Sequence, residues 1–372
     1  MKNTFGTNFC VTISGESHGN GICVIVDGVP SGIPFSNEFI AHHLSLRRPS
    51  GAISTARQEK DEFSVISGVF NGYTTGTPIC ILIPNADTKS KDYSKTKNIP
   101  RPGHADYTAH MKYFGFEDHR GGGHFSGRIT AGIVAAGAIA MQVLKTHGIY
   151  IGTHVKSCGG IFDREFNNND LKGDIDLLNT LSFPVLDNNC ADGMKELITS
   201  LKQELDSVGG VTESIVIGMP TGIGEPFFDS LESVISHCVF SVPGIKGIEF
   251  GAGFSFANMK GSEANDPFTI NDYKITTTTN NNGGINGGIS NGMPIVFRCA
   301  VKPTPSIMKE QASVNLMSFE NTSLTIEGRH DPAIIHRAAH VITAVTAIAI
   351  LDALEARFGE CLIGLDKKVD QI

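Results

Sequence analysis

Two histidines stand in settings suited to proton transfer: His18 within Gly15-Glu16-Ser17-His18-Gly19, and His104 within Arg101-Pro102-Gly103-His104-Ala105-Asp106. Near the far end lies a third segment of the same kind, Glu327-Gly328-Arg329-His330-Asp331-Pro332. In each, a titratable side chain sits beside glycine or proline, where backbone can approach a ligand and a turn can hold the side chain rigidly. General acid-base chemistry needs that arrangement. A single histidine on a polar loop is most simply solvated or bonded to the fold; three such segments point to an active site. Arginine completes the set, at Arg47-Arg48-Pro49 and at Arg120 and Arg128 around Gly121-Gly122-Gly123. The guanidinium fork meets an oxyanion with two bonds at once, and Pro49 can fix the direction of the pair before it. Metal-ligand spacing and a strand-linked Gly-x-Gly-x-x-Gly do not stand out, and Gly121 to Gly123 alone is a weak phosphate signal.

Composition narrows the partners. The 372 residues carry a net charge of −8, whereas nucleic-acid binders show a basic surplus or stripe. An anionic substrate must therefore be met by local arginines. With 42 glycines and no tryptophan, tight turns and backbone-lined surfaces are expected instead of aromatic platforms. Eight cysteines are scattered singly without a Cys-x-x-Cys pair, which reads as buried reduced thiols. No charged-then-apolar leader opens the sequence, so a cytoplasmic setting is expected. The apolar runs Ala131 to Leu144 and Val341 to Leu351 are shorter than the ~20 residues that span a bilayer, so no membrane is expected and both read as core helices.

Those helices belong to a weak internal repeat. Val26-Asp27-Gly28-Val29-Pro30-Ser31-Gly32-Ile33 reads like Val216-Ile217-Gly218-Met219-Pro220-Thr221-Gly222-Ile223, an apolar strand ending in a Gly/Pro turn. Amphipathic stretches follow both, at Asn37 to Leu46 and Asp229 to Cys238. Later, Ser126-Gly127-Arg128 and Glu327-Gly328-Arg329 each lead into a helix apolar on most faces, which must be buried on all sides. Coincidence between two common strand-turn-helix patterns is the bland account. Strands are expected at Gly21 to Val26, Pro78 to Ile83, Ser214 to Met219, Ile275 to Thr279 and Pro294 to Val301. The pattern predicts a single α+β domain over 1–372, with halves of roughly 1–150 and 200–372, although a doubly wound α/β sheet also fits. Asp192 to Asp206 reads as an amphipathic helix stopped by Gly209-Gly210. Thr276 to Gly288, polar and without period, reads as a mobile loop that can cover a ligand.

The chain resembles the chorismate synthases from end to end. The resemblance runs through Gly15 to Gly19, Arg47-Arg48-Pro49, Arg101 to Asp106, Arg120 to Gly123 with Ser126-Gly127-Arg128, Lys246-Gly247-Ile248-Glu249, Gly287 to Gly292, Lys302-Pro303-Thr304-Pro305-Ser306, and Gly328 to Pro332. It implies a helical core between two antiparallel sheets, a layered β-α-β sandwich. It also implies loss of phosphate and a proton from 5-enolpyruvylshikimate 3-phosphate, an anti-1,4-elimination giving chorismate in the shikimate pathway. Reduced FMN is required without net redox change, and a homotetramer is the expected assembly.

By resemblance, His18 is the acid that assists the departing phosphate, His104 supplies a proton to the reduced flavin, and Asp331 takes the flavin proton onward. Simpler roles stay open: His18 can merely hydrogen-bond the phosphate, and Asp331 can cap a helix ahead of Pro332. Ser17, Arg47, Arg48, Arg120 and Arg128 are the substrate candidates. Those for FMN are His124, Phe125, Ser126, Pro243, Gly244, Gly287, Lys302, Pro303, Thr304, Pro305, Ser306 and Arg329. Two departures stand out. Relatives commonly carry another arginine soon after Arg48-Pro49, where this chain has Gly51-Ala52-Ile53, and an arginine where it has His124. Two further classes remain open: an NAD(P)H-dependent flavin oxidoreductase, alone or combined with the lyase, and a non-catalytic flavin- or phosphate-binding protein.

Overall fold

The computed structural model describes residues 2–49, 51, 53–54, 59–86, 97–271, 273–326 and 331–359. Eight α-helices occur among them: α1 (Asn37–Arg47), α2 (Asp106–Tyr113), α3 (Thr130–Thr146), α4 (Leu171–Leu178), α5 (Asn188–Gln203), α6 (Leu231–Val239), α7 (Gly261–Ala264) and α8 (Ile335–Phe358). Two five-stranded sheets accompany them. The first runs, edge to edge, Thr4–Phe5, Cys10–Gly15, Gly21–Asp27, Ile79–Pro84 and Ser64–Ser67. The second runs Ile245–Phe250, Ile295–Val301, Gly210–Ile217, Tyr150–Cys158 and Ile161–Phe162. Every neighbouring pair is antiparallel. The chain is therefore α+β, and a doubly wound parallel sheet is excluded for these strands.

Strand alternation decides which faces are covered. Ile22, Val24 and Val26 are fully buried while Ile25 between them is 43% exposed. The covered face of the first sheet meets α3, α3 meets α8, and α8 meets the Tyr150–Cys158 and Gly210–Ile217 strands of the second sheet. Small residues make this possible: a Cβ on Gly132 would lie 2.8 Å from Val24 Cγ2, and one on Gly137 would lie 2.5 Å from Ala344 Cβ. At 24 residues α8 is longer than the apolar run that announced it, and long and apolar enough to cross a membrane; 94% of its most apolar window is buried inside the protein, as in a core helix.

The matched turns of the two halves share a conformation. Gly28 and Gly32 after one strand, Gly218 and Gly222 after the other, all take positive φ, between 81° and 95°. At Gly28 and Gly218 a side chain would strike backbone carbonyls of Asn8 and Gly148.

Two segments differ from expectation. α5 ends at Gln203, where Leu205 turns left-handed (φ 62°), and Gly210 instead opens the next strand. The 276–288 segment is held instead of loose. Asp266 accepts hydrogen bonds from the Asn281 and Asn282 amides, the Asn282 side chain and the Thr279 hydroxyl, all at 2.7–2.8 Å.

Buried histidines give the core a pH dependence. Burial, reinforced for His43 by His42 and for His340 by His336, holds His43, His336 and His340 at pKa values of about 3. Unfolding returns each imidazole to about 6.5. Between those values the unfolded chain binds more protons, so this stability is complete above pH 6.5 and is lost as pH falls toward 3. Thermal melts should show a falling midpoint from pH 7 to pH 4. His336, stacked on Phe183 with ring centroids 5.3 Å apart, gives the control. His336→Phe should fold at pH 7 and shallow that decline, and an unchanged slope would show that His336 is not part of it.

Candidate active site

A cavity of about 870 Å³ opens where the N-terminal turns of α3 and α8 converge. Ile129, Thr130 and Ile133 line it from the first helix, and Ile334, Arg337 and Ala338 from the second. The floor is apolar, with Val11 and Ile13 of the first sheet facing Val341 and Val345 of α8. Its other walls are loops bearing Arg101, His104, Gly121, Lys302, Thr304, Ser306 and Asp331, with Lys246 at the start of the Ile245–Phe250 strand.

Three consecutive glycines form a strap through the centre of this arrangement. Gly121, Gly122 and Gly123 have φ of 60°, 82° and 53°, a backbone that side chains rarely adopt. Space forbids side chains as well. A Cβ on Gly121 would lie 2.6 Å from His18 Cδ2, 2.7 Å from its Nε2 and 2.9 Å from Ser17 Oγ. One on Gly122 would lie 3.1 Å from His104 Cε1 and 3.3 Å from its Nε2. Distant in sequence, the two histidines thus press on adjacent residues of one strap. Ser17, fully buried, donates its backbone N–H to Gly123 O at 3.0 Å.

The turn carrying His18 is braced from below. Asn85 Nδ2 donates to Glu16 O and Gly19 O at 2.9 Å, and Arg128 Nε donates to Asn85 Oδ1 at 2.9 Å. Arg128 also pairs with Asp61, whose other oxygen takes Arg47 Nη2 at 2.8 Å. Burial raises the Asp61 carboxyl, but Arg47 and Arg128 outweigh it and hold the group below its ordinary value. Burial brings Arg47 down to about 10, still charged at neutral pH. Two guanidiniums on one carboxylate leave a positive charge beside the cavity, which Arg47 lines and Arg128 does not.

The remaining arginine candidates are engaged elsewhere. Arg120 forms a fork on Asp118 at 2.8 and 2.7 Å, and Arg48 donates to Lys60 O at 3.0 Å; neither lines the cavity. Asp331 does line it, paired with Arg337 Nη1 at 2.5 Å, and Arg337 Nε donates to Arg47 O at 2.9 Å. The helix-capping role open for Asp331 is not the one it takes: α8 starts at Ile335 with Ile334 at its N-cap and no side-chain capping bond. Arg329 and His330 lie outside the described residues.

Among the cofactor candidates, His124, Phe125, Ser126, Pro243, Gly244, Lys302, Thr304, Pro305 and Ser306 line the cavity; Pro303 and Gly287 do not. Gly287 sits at the tip of the hairpin formed by Ile285–Asn286 and Ile289–Ser290. His124 Nδ1 donates to Gly15 O at 2.8 Å. Lys302 Nζ donates to Gly103 O at 2.5 Å, and burial together with neighbouring Lys246 holds its pKa below the ordinary lysine value. An anion would relieve that strain. Two buried polar atoms of cavity-lining residues, Arg47 Nε and Thr304 Oγ1, have no hydrogen-bond partner among the described residues. Cationic rim, apolar floor and unsatisfied donors suit a ligand that is part planar ring and part oxyanion, as FMN and a phosphorylated acid are.

Comparison with known proteins agrees with this geometry. The family model for chorismate synthase matches residues 9–354. The chain belongs to the chorismate synthase family. Proteins named chorismate synthase from Dehalococcoides mccartyi and Methanococcoides burtonii are each 46% identical to it, over 95% and 94% of this chain and 96% and 95% of theirs. One from Chitinophaga pinensis is 47% identical over 94% of this chain and 96% of its own. A crystal structure of chorismate synthase superposes with a TM-score of 0.77 at 28% identity, covering 99% of this chain and 97% of that one. The chain is thus an enzyme of the chorismate synthase type, a lyase of aromatic biosynthesis acting on a small molecule.

Several residues at this site carry no role in the sequence reading. Asp61, Arg337 and Lys246 are brought there by tertiary packing; Lys246 stands in a segment that carries the family resemblance, and Arg337 has a signal as an arginine near the start of an otherwise apolar helix. The strap yields a test. Gly121→Ala should fold with a stability loss of about 1–3 kcal/mol from the left-handed backbone and lower turnover through displacement of His18. Gly261→Ala, in a short helix with open space around it, should leave both unchanged. Full turnover in Gly121→Ala would mean the strap does not set the position of His18.

Proposed function

We propose that this enzyme removes phosphate and a proton from 5-enolpyruvylshikimate 3-phosphate by anti-1,4-elimination to give chorismate, with reduced FMN held in the cavity and no net redox change. The observation that carries the reading is the pair of histidines against one glycine strap beside a cavity rimmed by Arg47, Arg101, Arg337, Lys246 and Lys302. The hydrogen to be removed is not acidic, so no ordinary side-chain base suffices. Bound reduced FMN supplies the electron density and the basic ring nitrogen that the side chains lack.

The protein then has four tasks: to bind, to orient, to hold protons and to exclude water. His18 protonates the oxygen of the leaving phosphate, and the dianion beside it favours the imidazolium that does so. Arg47 is the substrate-binding arginine of the wall, with its orphaned Nε available to an anion. Arg128 acts through Asp61 and Asn85, and Arg48 and Arg120 reach the substrate only by leaving Lys60 O and Asp118. His104 holds its proton on the other side of the strap, among the residues that would hold the cofactor: His124 to Ser126, Pro243-Gly244 and Lys302 to Ser306, with Arg329 and Gly287 assigned by family resemblance. Asp331, oriented by Arg337, is the proton acceptor of the set. The proposal extends to the architecture, a layered sandwich with a weak two-fold repeat, supported by the contacts of α3 and α8 and by the paired glycine turns. It also extends to a cytoplasmic homotetramer, for which the exposed apolar hairpin residues Phe268, Ile270 and Tyr273 offer surface.

Anaerobic phosphate release with chemically reduced FMN tests the reading. His18→Ala and His104→Ala should each slow turnover by about 10 to 10⁴-fold with the fold intact. Asp331→Asn, which cannot accept a proton, should melt normally and turn over poorly. Oxidised FMN should bind yet support no phosphate release, and each reduced flavin should serve many turnovers. Equal rates in air with oxidised FMN, or one reduced flavin consumed per product, would overturn the proposal. Bleaching of FMN by NADPH without added reductase would add the reductase activity to the lyase.

A further inference from the structure

We propose that Asp106 is a positioning residue for His104: clamped by Arg101, its carboxylate holds the imidazole by Nδ1 and so presents Nε2 to the glycine strap. The inference rests on His104 being a proton donor of the elimination and specifies how that donor is kept in place and in the right protonation form.

Geometry decides which nitrogen carries the fixed proton. His104 Nδ1 lies 2.7 Å from Asp106 Oδ1 and 3.1 Å from Arg101 Nη2. If Nδ1 accepted from Arg101, its lone pair would face a carboxylate oxygen at hydrogen-bond distance, an arrangement of two acceptors. The shorter contact therefore requires Nδ1–H donating to Asp106. Nε2 is then the atom free to gain and lose a proton, and it is the edge of the ring that faces Gly122.

The carboxylate is itself over-determined. Arg101 Nε donates to Oδ2 and Arg101 Nη2 to Oδ1, both at 2.7 Å, and the Arg101 backbone N–H adds a bond to Oδ2 at 3.0 Å. Burial would raise the Asp106 carboxyl, but hydrogen bonds from Arg101 and His104 overcome it and hold the group well below the ordinary carboxylate range. Asp106 thus stays ionised wherever the enzyme works and does not take the proton from His104. The same loop is tied to the 302–306 loop, through Arg101 Nη1 to Ser306 Oγ at 3.4 Å and Lys302 Nζ to Gly103 O at 2.5 Å.

The charged groups around His104 are Arg101 and Asp106 on its own loop and Lys302 on the facing loop. His18 lies beyond the strap, and Arg47, Arg337, Asp331 and Lys246 line the same cavity. With Nδ1 donating, Asp106 is the one charged group hydrogen-bonded to the ring among the described residues and Arg101 Nη2 only approaches it, so a change at Asp106 should act on His104 most directly.

The test is the pH dependence of kcat in the full-length enzyme with reduced FMN, for Asp106→Asn, His104→Ala and the double variant. Loss of the carboxylate weakens the protonated form of His104, so the alkaline limb of Asp106→Asn should move to lower pH. Its kcat should fall by about 10 to 10³-fold, within the usual worth of a positioned acid, with substrate KM little changed. In the double variant Asp106→Asn should cost nothing further, because both substitutions act through one group. A limb that stays in place, or a loss that multiplies fully in the double variant, would overturn the inference while leaving His104 as a catalytic group. Full activity of His104→Ala would instead remove the underlying reading. If Asp106→Asn melts early, Asp106→Glu keeps the charge: a folded Asp106→Glu enzyme should retain the wild-type limb, and one shifted like Asp106→Asn would also count against the role.

Discussion

Everything at the active site hangs on how closely two helices cross. Where α3 passes α8, Gly137 faces Ala344, and an added Cβ there would stand 2.5–2.6 Å from side-chain and backbone atoms of Ala344. No larger residue fits without separating the helices, and separation would carry the first sheet away from the second, since α3 packs on one and α8 on the other. The apolar floor of the cavity is divided between the two helices and the first sheet, so its width is fixed by the same contact. A close-packed interior transmits such a change instead of absorbing it.

The crossing also explains why so much charge can be assembled in an acidic protein. Both helices start at the cavity, and their unpaired amide ends favour anions there. Asp61 then gathers Arg47 and Arg128 without cancelling them, while Asp331 orients Arg337 in a one-to-one pair. The carboxylates spend their charge on orientation, while the surplus of cations over anions at the wall is left for ligand. Buried ion pairs of this kind cost desolvation, and their return is in geometry more than in stability.

Legibility in the sequence followed range. The two central helices were evident because residues apolar on every face have one physical solution, and the turns after Val26 and Val216 because only glycine suits their backbone. His18 and His104 stood out from local composition, since glycine and proline fix a side chain within a few residues, whereas the 302–306 loop was marked only by the family resemblance. What escaped depends on partners far along the chain. Arg128 and Arg47 look alike as sequence, but Asp61 holds both, Asn85 engages only the first, and Nε of the second is left without a hydrogen-bond partner. The asparagine-rich 276–288 segment looks loose until Asp266, on another turn, supplies its missing acceptors. Asp61 and Arg337 enter the site only because elements meet there.

One carboxylate joins the ends of the chain. Asp352, near the close of α8, accepts the backbone amides of Thr7, Asn8 and Phe9 at 2.7–3.0 Å. Those residues follow the segment from Lys2 to Phe5 that walls the cavity. Contacts spanning some 345 positions cannot form until the residues between them have been synthesised. During translation the amides of Thr7, Asn8 and Phe9 must wait for α8 to emerge before they meet this carboxylate. The nascent chain is then without a finished binding site until α8 has left the ribosome, so its first strands are made long before the helix that completes the site.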